Sequence, residues 1–199
     1  MARSSPSERR KARPGSPRAR LFLALDPPED ARAELAAWRD GLIAGRDDLR
    51  PVAYEALHVT LVFLGYRPEK EIDAIAATAF EPLAGMAPVE LSPVSVRPLP
   101  PRGPRLFALD LEDRDGACSE VQARAEAALA AGRFHRPEKR RFWPHMTLAR
   151  VKRERRAGPL EPEAALPGAF TAADVVLYRS HLSPKGARYE PLASHRLGR

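Results

Sequence analysis

Two short motifs of the same composition contain the residues best suited to chemistry. His58 and Thr60 form one His-x-Thr motif, His145 and Thr147 form the other, and a leucine follows each. Histidine has an unperturbed pKa of about 6.5, so a neutral imidazole can accept a proton and an imidazolium can donate one near neutral pH. A threonine hydroxyl can donate a hydrogen bond to an anionic oxygen. Together the motifs offer an acid, a base and two donors, which suits general acid–base chemistry on an anionic ligand.

Each motif is predicted to lie on a strand. Side chains alternate between the two faces of a strand, so His58 and Thr60 project the same way, as do His145 and Thr147. The intervening and flanking residues are apolar and predict packing against a core: Leu57, Val59, Leu61, Phe63, Met146 and Leu148. One such motif is weak evidence, because a single histidine in a strand is usually structural. Two copies favour the functional interpretation.

An internal repeat surrounds the motifs. The segment Arg-Leu-Phe-Leu-Ala-Leu-Asp at 20–26 returns as Arg-Leu-Phe-Ala-Leu-Asp at 105–110, and each copy precedes a predicted helix and then a motif strand. The first leucines of the copies are 106 − 21 = 85 residues apart, and the motif histidines are 145 − 58 = 87 apart. The repeat predicts a duplicated strand-helix-strand unit and two pseudo-symmetric lobes.

The remaining periodicity indicates an α+β fold with antiparallel sheets. Several strand pairs have the spacing of hairpins, which disfavours a doubly wound sheet. We expect helices near 28–45, 68–83 and 117–131. We expect strands at 21–25, 57–64 and 105–110, an edge strand and a proline-rich turn within 88–104, and strands at 173–178 and around Tyr189.

Charge and composition suggest one domain with a basic tail. Residues 1–20 hold seven Arg or Lys and one acid, which leaves 26 basic and 25 acidic side chains in the rest of the chain. We predict a disordered basic tail at 1–19, able to steer RNA, and a single two-lobed domain at 20–199. A lone cysteine, Cys118, and the lack of an 18-residue apolar run favour a cytoplasmic protein without a membrane span.

The motifs and their neighbours resemble those of the 2H phosphoesterases, and within them the RNA 2',3'-cyclic phosphodiesterases, also called 2'-5' RNA ligases. The resemblance rests on four segments, 20–25, 57–65, 142–150 and 177–180, together with Arg-Pro-Val at 50–52, Gly186 and Tyr189. It implies two lobes of antiparallel sheet and helices around a central cleft. At 54–57 the chain has Tyr-Glu-Ala-Leu, where the family often has Pro-Glu-Asn-Leu.

The resemblance also implies a reaction. His58 would donate a proton to the leaving O3', His145 would accept one from water, and Thr60 and Thr147 would bind the non-bridging oxygens. An RNA 2',3'-cyclic phosphate end, for example on a tRNA fragment, would become a 2'-phosphomonoester without metal or cofactor. Run in reverse with a 5'-hydroxyl, the same residues would form a 2'-5' linkage. We expect a monomer with no obligate protein partner.

Arg150 and Phe142 are the expected substrate-binding residues. Arg150 matches the family's arginine, but it lies an odd number of residues after His145, so it reaches the cleft only if the strand ends or bulges near Ala149. Otherwise it is a solvated residue in the basic run 150–156. Phe142 and Trp143 are placed either to stack on a terminal base or to pack in the core.

Other functions stay open at this stage. The enzyme could act on another cyclic nucleotide phosphate, or the chain could be a non-catalytic RNA-binding module. A histidine-based metalloenzyme is disfavoured, because neither motif supplies a third ligand for a catalytic zinc. The remaining histidines, His135, His181 and His195, have no paired threonine and are expected on the surface.

Overall fold

A computed structural model describes residues 17–183 and 186–198. Most of the predicted tail, residues 1–16, lies outside the described part, whereas Arg18 and Ala19 belong to the first strand. Within the described part, none of the helices combines the length and the hydropathy that crossing a membrane requires.

The described residues form three α-helices and nine strands. The helices are Glu29–Leu42 (α1), Ile72–Phe80 (α2) and Ala117–Ala131 (α3), with short 3-10 turns at Tyr54–Ala56, Glu69–Glu71 and Glu81–Leu83. The strands are Arg18–Asp26 (β1), Leu49–Pro51 (β2), Val59–Pro68 (β3), Val89–Leu99 (β4), Leu106–Glu112 (β5), His145–Val151 (β6), Phe170–Ala172 (β7), Asp174–Ser183 (β8) and Gly186–Arg196 (β9).

The strands build one antiparallel sheet from two matching halves. Its order is β7-β4-β5-β6-β3-β1-β8-β9, with β2 paired to β6. In one half α1 connects β1 to its neighbour β3, and in the other α3 connects β5 to its neighbour β6. The halves meet where β3 and β6 pair through Val59 and Met146. The predicted α+β class and the two pseudo-symmetric lobes are confirmed.

The alternation of β1 separates the core from the other face of the sheet. Leu21, Leu23 and Leu25 are fully buried in the main core, which also holds apolar residues of all three helices. Phe22 and Ala24 belong instead to a small cluster on the opposite side. The helices therefore cover one face and leave the other face available for a cleft.

Both motif strands contain a bulge just after the threonine. Between β1 and β3 the register runs from Ala24↔Thr60 to Leu23↔Val62, so Leu61 has no partner on β1. Between β5 and β6 it runs from Ala108↔Thr147 to Phe107↔Ala149, which skips Leu148. One extra residue exchanges the two faces beyond the bulge.

Several details differ from the prediction. The strand predicted at 57–64 is β3, Val59–Pro68, so His58 lies immediately before the strand. The three-residue strands β2 and β7 were not predicted. The predicted helix at 68–83 is a short α-helix between two 3-10 turns. The predicted edge strand, β4, is second from the edge, because β7 pairs with its first three residues.

Candidate active site

His58 is held by its own motif. Its Nδ1–H donates to the carbonyl oxygen of Ala56 at 2.8 Å, since a carbonyl can only accept. In the neutral ring Nε2 is then the acceptor, and the Thr60 hydroxyl donates to it at 3.0 Å. Three aromatic rings enclose His58, with centroids at 5.0 Å (Phe22), 5.3 Å (Tyr189) and 6.3 Å (Tyr178).

His145 repeats the same anchoring contact. Its Nδ1–H donates to the carbonyl oxygen of Trp143 at 2.8 Å, again two residues before the histidine. Its ring lies against the Trp143 ring, with centroids 4.2 Å apart and 12° between the planes. Both imidazoles are therefore fixed through Nδ1, which leaves Nε2 for proton transfer; on His58 this atom exchanges its bond with Thr60 for one with the substrate when the ring is protonated.

The motif residues line three cavities that share Thr60. The first, of about 490 Å³, includes His58, Thr147 and Arg150 in its lining. The second, of about 390 Å³, is lined by His58, Arg150 and Phe63, and the third, of about 230 Å³, by His145 and Phe63. We call these three cavities together the cleft. The structure thus brings His58, Thr60, His145 and Thr147 to one place.

Arg150 reaches the cleft because of the bulge at Leu148. Leu148 and Ala149 are consecutive buried residues, so the alternation breaks between Thr147 and Arg150 and both line the first cavity. This is the condition that the sequence analysis set for a cleft position. Arg150 is also the cross-strand partner of Arg50 on β2, which lines the same cavity. Two guanidinium groups therefore line this cavity, which favours an anionic ligand there.

The two aromatic residues before His145 have different positions. Phe142 packs partly buried against the main core and lines the third cavity beside His145. Trp143 presents one ring face to His145, so that face is not available to a base. Stacking of a base on Phe142 stays a prediction.

Burial lowers the pKa of His58. Burial is the main reason that the pKa of His58 falls to about 4, and the positive charges of Arg32, His145 and Arg150 lower it further. The hydrogen bond to Ala56 acts in the opposite direction. In the free protein His58 is therefore neutral at pH 7.

The structure adds residues to which the sequence analysis gave no role. Arg50, Arg20, Phe63 and Tyr189 line the second cavity, with the Arg20 guanidinium 4.5 Å from the centroid of the Phe63 ring. Arg50 and Tyr189 occur in the resembling segments, but their position depends on strand pairing that spacing does not reveal. For Phe63 a signal existed, since it lies five residues after His58, as Arg150 does after His145.

A further cavity, outside the cleft, lacks the histidines that acid–base chemistry would use. This slightly larger cavity, of about 530 Å³, lies between α1 and residues 159–164 and is lined by Trp38, Arg46 and Glu161 but by no histidine. Among the described residues no group of three or more His, Cys, Asp or Glu could hold a metal ion. The surface prediction is wrong for His135, whose side chain is 7% exposed and pairs with Glu126.

Family comparison agrees with this geometry. Residues 27–184 match the model of the 2'-5' RNA ligase superfamily. A Methanothermobacter thermautotrophicus protein named RNA 2',3'-cyclic phosphodiesterase is 31% identical over 184 residues, covering 89% of this chain and 98% of the relative. A Thermus thermophilus protein of the same name is 30% identical, covering 87% of both.

Solved structures show the same fold. A crystal structure of a Thermus thermophilus protein superposes with a TM-score of 0.74 at 28% identity, covering 90% of this chain and 98% of that chain. Escherichia coli LigT complexed with NADP+ has a TM-score of 0.71 at 26% identity, covering 92% and 100%.

Proposed function

Because the chain belongs to the 2'-5' RNA ligase superfamily of 2H phosphoesterases, we propose that it hydrolyses RNA 2',3'-cyclic phosphate ends to 2'-phosphomonoesters. The observation that carries the proposal is the pair of His-x-Thr motifs that open on one cleft from matching strands. Relatives named RNA 2',3'-cyclic phosphodiesterase support the substrate and the hydrolase activity.

The reaction needs one proton removed and one supplied. Water attacks phosphorus as the P–O3' bond breaks; His145 takes the proton from water and His58 gives one to O3'. The phosphate stays on O2'. Thr147 and Thr60 donate hydrogen bonds to the non-bridging oxygens, and Arg150 stabilises their negative charge. Each acid or base contributes typically about 10²- to 10⁴-fold.

The low pKa of His58 constrains its role as donor. Above its pKa of about 4 the free protein holds little protonated His58. In this proposal the ring gains its proton together with the substrate, because the cyclic phosphate brings a negative charge that offsets the repulsion from Arg32 and Arg150. His58 then holds the proton that O3' takes up as the P–O3' bond breaks.

The test uses a short RNA with a 2',3'-cyclic phosphate end, in the presence of EDTA. We compare the wild type with His58→Ala, His145→Ala and the control His195→Ala, whose ring stacks on Phe80 away from the cleft. Product ends are identified against 2'- and 3'-phosphate standards. We expect the 2'-phosphate from wild type and control, and a loss of at least about 10²-fold in either motif variant.

Two results would overturn the proposal: no turnover of this RNA by the wild type, or turnover that neither motif substitution reduces. RNA binding without turnover would favour the binding module, and turnover of a different cyclic phosphate would move the substrate within the 2H class. Addition of a 5'-hydroxyl RNA to the same reaction tests the reverse step, with a 2'-5' linkage as its product.

A further inference from the structure

Trp143 and His145 form the closest parallel ring pair in the cleft. Their centroids are 4.2 Å apart with 12° between the planes, whereas the rings around His58 lie 5.0 Å away or more and are tilted by 33° or more. The face of an indole carries negative charge and attracts a cation more strongly than the face of a phenyl ring does. The two motif histidines thus have similar backbone anchors but different ring neighbours.

A buried carboxylate fixes the indole. Trp143 Nε1–H donates a short hydrogen bond to Asp110, which is 6% exposed and is the cross-strand partner of His145. Asp110 also forms an ion pair with Arg97 and accepts a hydrogen bond from Ser95. The Arg97 guanidinium lies 5.5 Å from the Trp143 centroid. The ring therefore has little freedom to turn away from His145.

The first half contains the corresponding carboxylate without the corresponding stack. Asp26 ends the repeated segment as Asp110 does, and it accepts hydrogen bonds from Tyr178 and Arg32. Tyr178 lies 6.3 Å from His58 at 37°. The close parallel stack is thus specific to the half that carries the base of the proposed reaction.

We infer that Trp143 is a positioning residue that holds the His145 ring and stabilises the positive charge that develops on it during proton transfer. The inference rests on the proposed function, because only the base gains charge as water attacks. Asp110 acts through Trp143. Its carboxylate accepts the indole N–H hydrogen bond, which orients the ring and increases the electron density on its face.

The charged groups around His145 come from several elements, and all must stay in place in a test. They are Arg150 on its own strand, His58 immediately before β3, Asp110 on β5, Arg97 on β4, and Glu138, Arg140 and Arg141 in the segment before β6. Changing Trp143 alone keeps all of these groups, although Asp110 loses its indole partner and Arg97 its ring contact.

The experiment compares Trp143→Leu and Trp143→Phe with Trp38→Phe, which changes the second tryptophan of the chain, on α1. The readouts are the His145 ring protons in an NMR pH titration and the pH dependence of kcat and KM. In the wild type we expect these protons upfield, because they lie over the indole face. In Trp143→Leu the titration midpoint should move to lower pH by about one pH unit. Trp143→Phe should show a smaller change, and Trp38→Phe none.

The kinetic parameters should change in parallel with the NMR titration midpoint. In Trp143→Leu we expect kcat to fall by up to about tenfold with KM nearly unchanged, and one limb of the pH–rate profile to move with the NMR midpoint. If kcat falls in Trp143→Leu while the NMR titration midpoint and the pH–rate profile stay unchanged, Trp143 has only a packing role. That result would overturn the inference. Wild-type ring protons without an upfield shift would do the same even if the variants did not fold. Neither result depends on which substrate the wild type turns over.

Discussion

His58 and His145 share one backbone anchor and differ in what surrounds the ring. Each donates Nδ1–H to the carbonyl two residues before it, at 2.8 Å. His58 lies among Phe22, Tyr178 and Tyr189, where burial lowers its pKa to about 4. Two motifs with the same backbone anchor thus place their imidazoles in different surroundings, and for His58 those surroundings favour the neutral ring.

The pKa of His58 makes a prediction about stability. In the unfolded chain a histidine titrates near about 6.5, so as the pH falls from there to about 4 the unfolded state takes up a proton that the folded state refuses. This difference stabilises the fold fully above pH 6.5 and is lost progressively down to pH 4. We expect it to remove up to about 3 kcal/mol of the unfolding free energy.

Urea unfolding of the wild type and His58→Gln between pH 7.5 and 4 measures this contribution. Carboxylates titrate in both proteins and cancel in the comparison. The wild type should lose more stability than the variant over this range. Parallel curves would show that His58 keeps an ordinary affinity for protons in the folded state.

At the scale of residues, the sequence predicted the two His-x-Thr motifs of the cleft but not several of the side chains that contact them. Recurrence of the motif predicted that His58, Thr60, His145 and Thr147 lie together, and the structure places them around one cleft. Trp143 was noticed, but its stack on His145 depends on a loop conformation that spacing does not encode. Asp110 ends a repeated segment and was still given no role, because its bond to Trp143 joins residues 33 apart.

At the scale of elements, the bulges at Leu61 and Leu148 decide which side chains face the cleft. Regular alternation would direct Arg150 away from Thr147, and the extra residue brings both to the first cavity. Val151, the next residue, packs instead against the small cluster that includes Phe107 and Leu160. A bulge is thus a means of aiming a side chain.

The register of β6 beyond its bulge predicts that an arginine at position 151 cannot replace Arg150. Arg150→Ala should weaken substrate binding, seen as a higher KM for the cyclic phosphate RNA, because one charge-assisted contact is lost, about 1.5 to 3 kcal/mol or roughly 10- to 100-fold. Moving the charge by one residue in Arg150→Ala/Val151→Arg should restore nothing. Restored binding in the double variant would mean that the strand face is not fixed by the bulge.

Elements longer than about seven residues were largely predictable, and the short ones were not. Helix α3 occupies the predicted residues 117–131, because an alanine-rich segment between Gly116 and Gly132 has clear limits. Strands β2 and β7 have three residues each, too few for a period to emerge. β2 contributes to the lining of the cleft, because it places Arg50 opposite Arg150.

At the scale of the molecule, the duplicated halves meet at the cleft. β3 and β6 are the inner strands of the two halves and pair through Val59 and Met146, each next to a motif histidine. The sequence repeat predicted two lobes correctly. It did not predict that the lobes continue into one sheet, because that depends on pairing between residues 87 apart.

The near-twofold arrangement has a stereochemical consequence. A 2',3'-cyclic phosphate has one ester oxygen on each side of phosphorus, O2' and O3'. A cleft with exact twofold symmetry would bind it in either orientation and give both the 2'- and the 3'-phosphate. Five residues after each histidine the halves differ: Phe63 in one, Arg150 in the other. That difference would give the cleft a preferred direction.

Phe63→Arg should therefore weaken the preference for one orientation of the bound cyclic phosphate. We expect this variant to give a mixture of 2'- and 3'-phosphate ends where the wild type gives the 2' isomer, while Phe63→Leu, which adds no charge, keeps the single isomer. Chromatography of the products against both standards decides. An active Phe63→Arg enzyme that still yields one isomer would place the source of direction elsewhere. The ratio of 2'- to 3'-phosphate product thus measures how far the two halves of the duplicated scaffold have diverged.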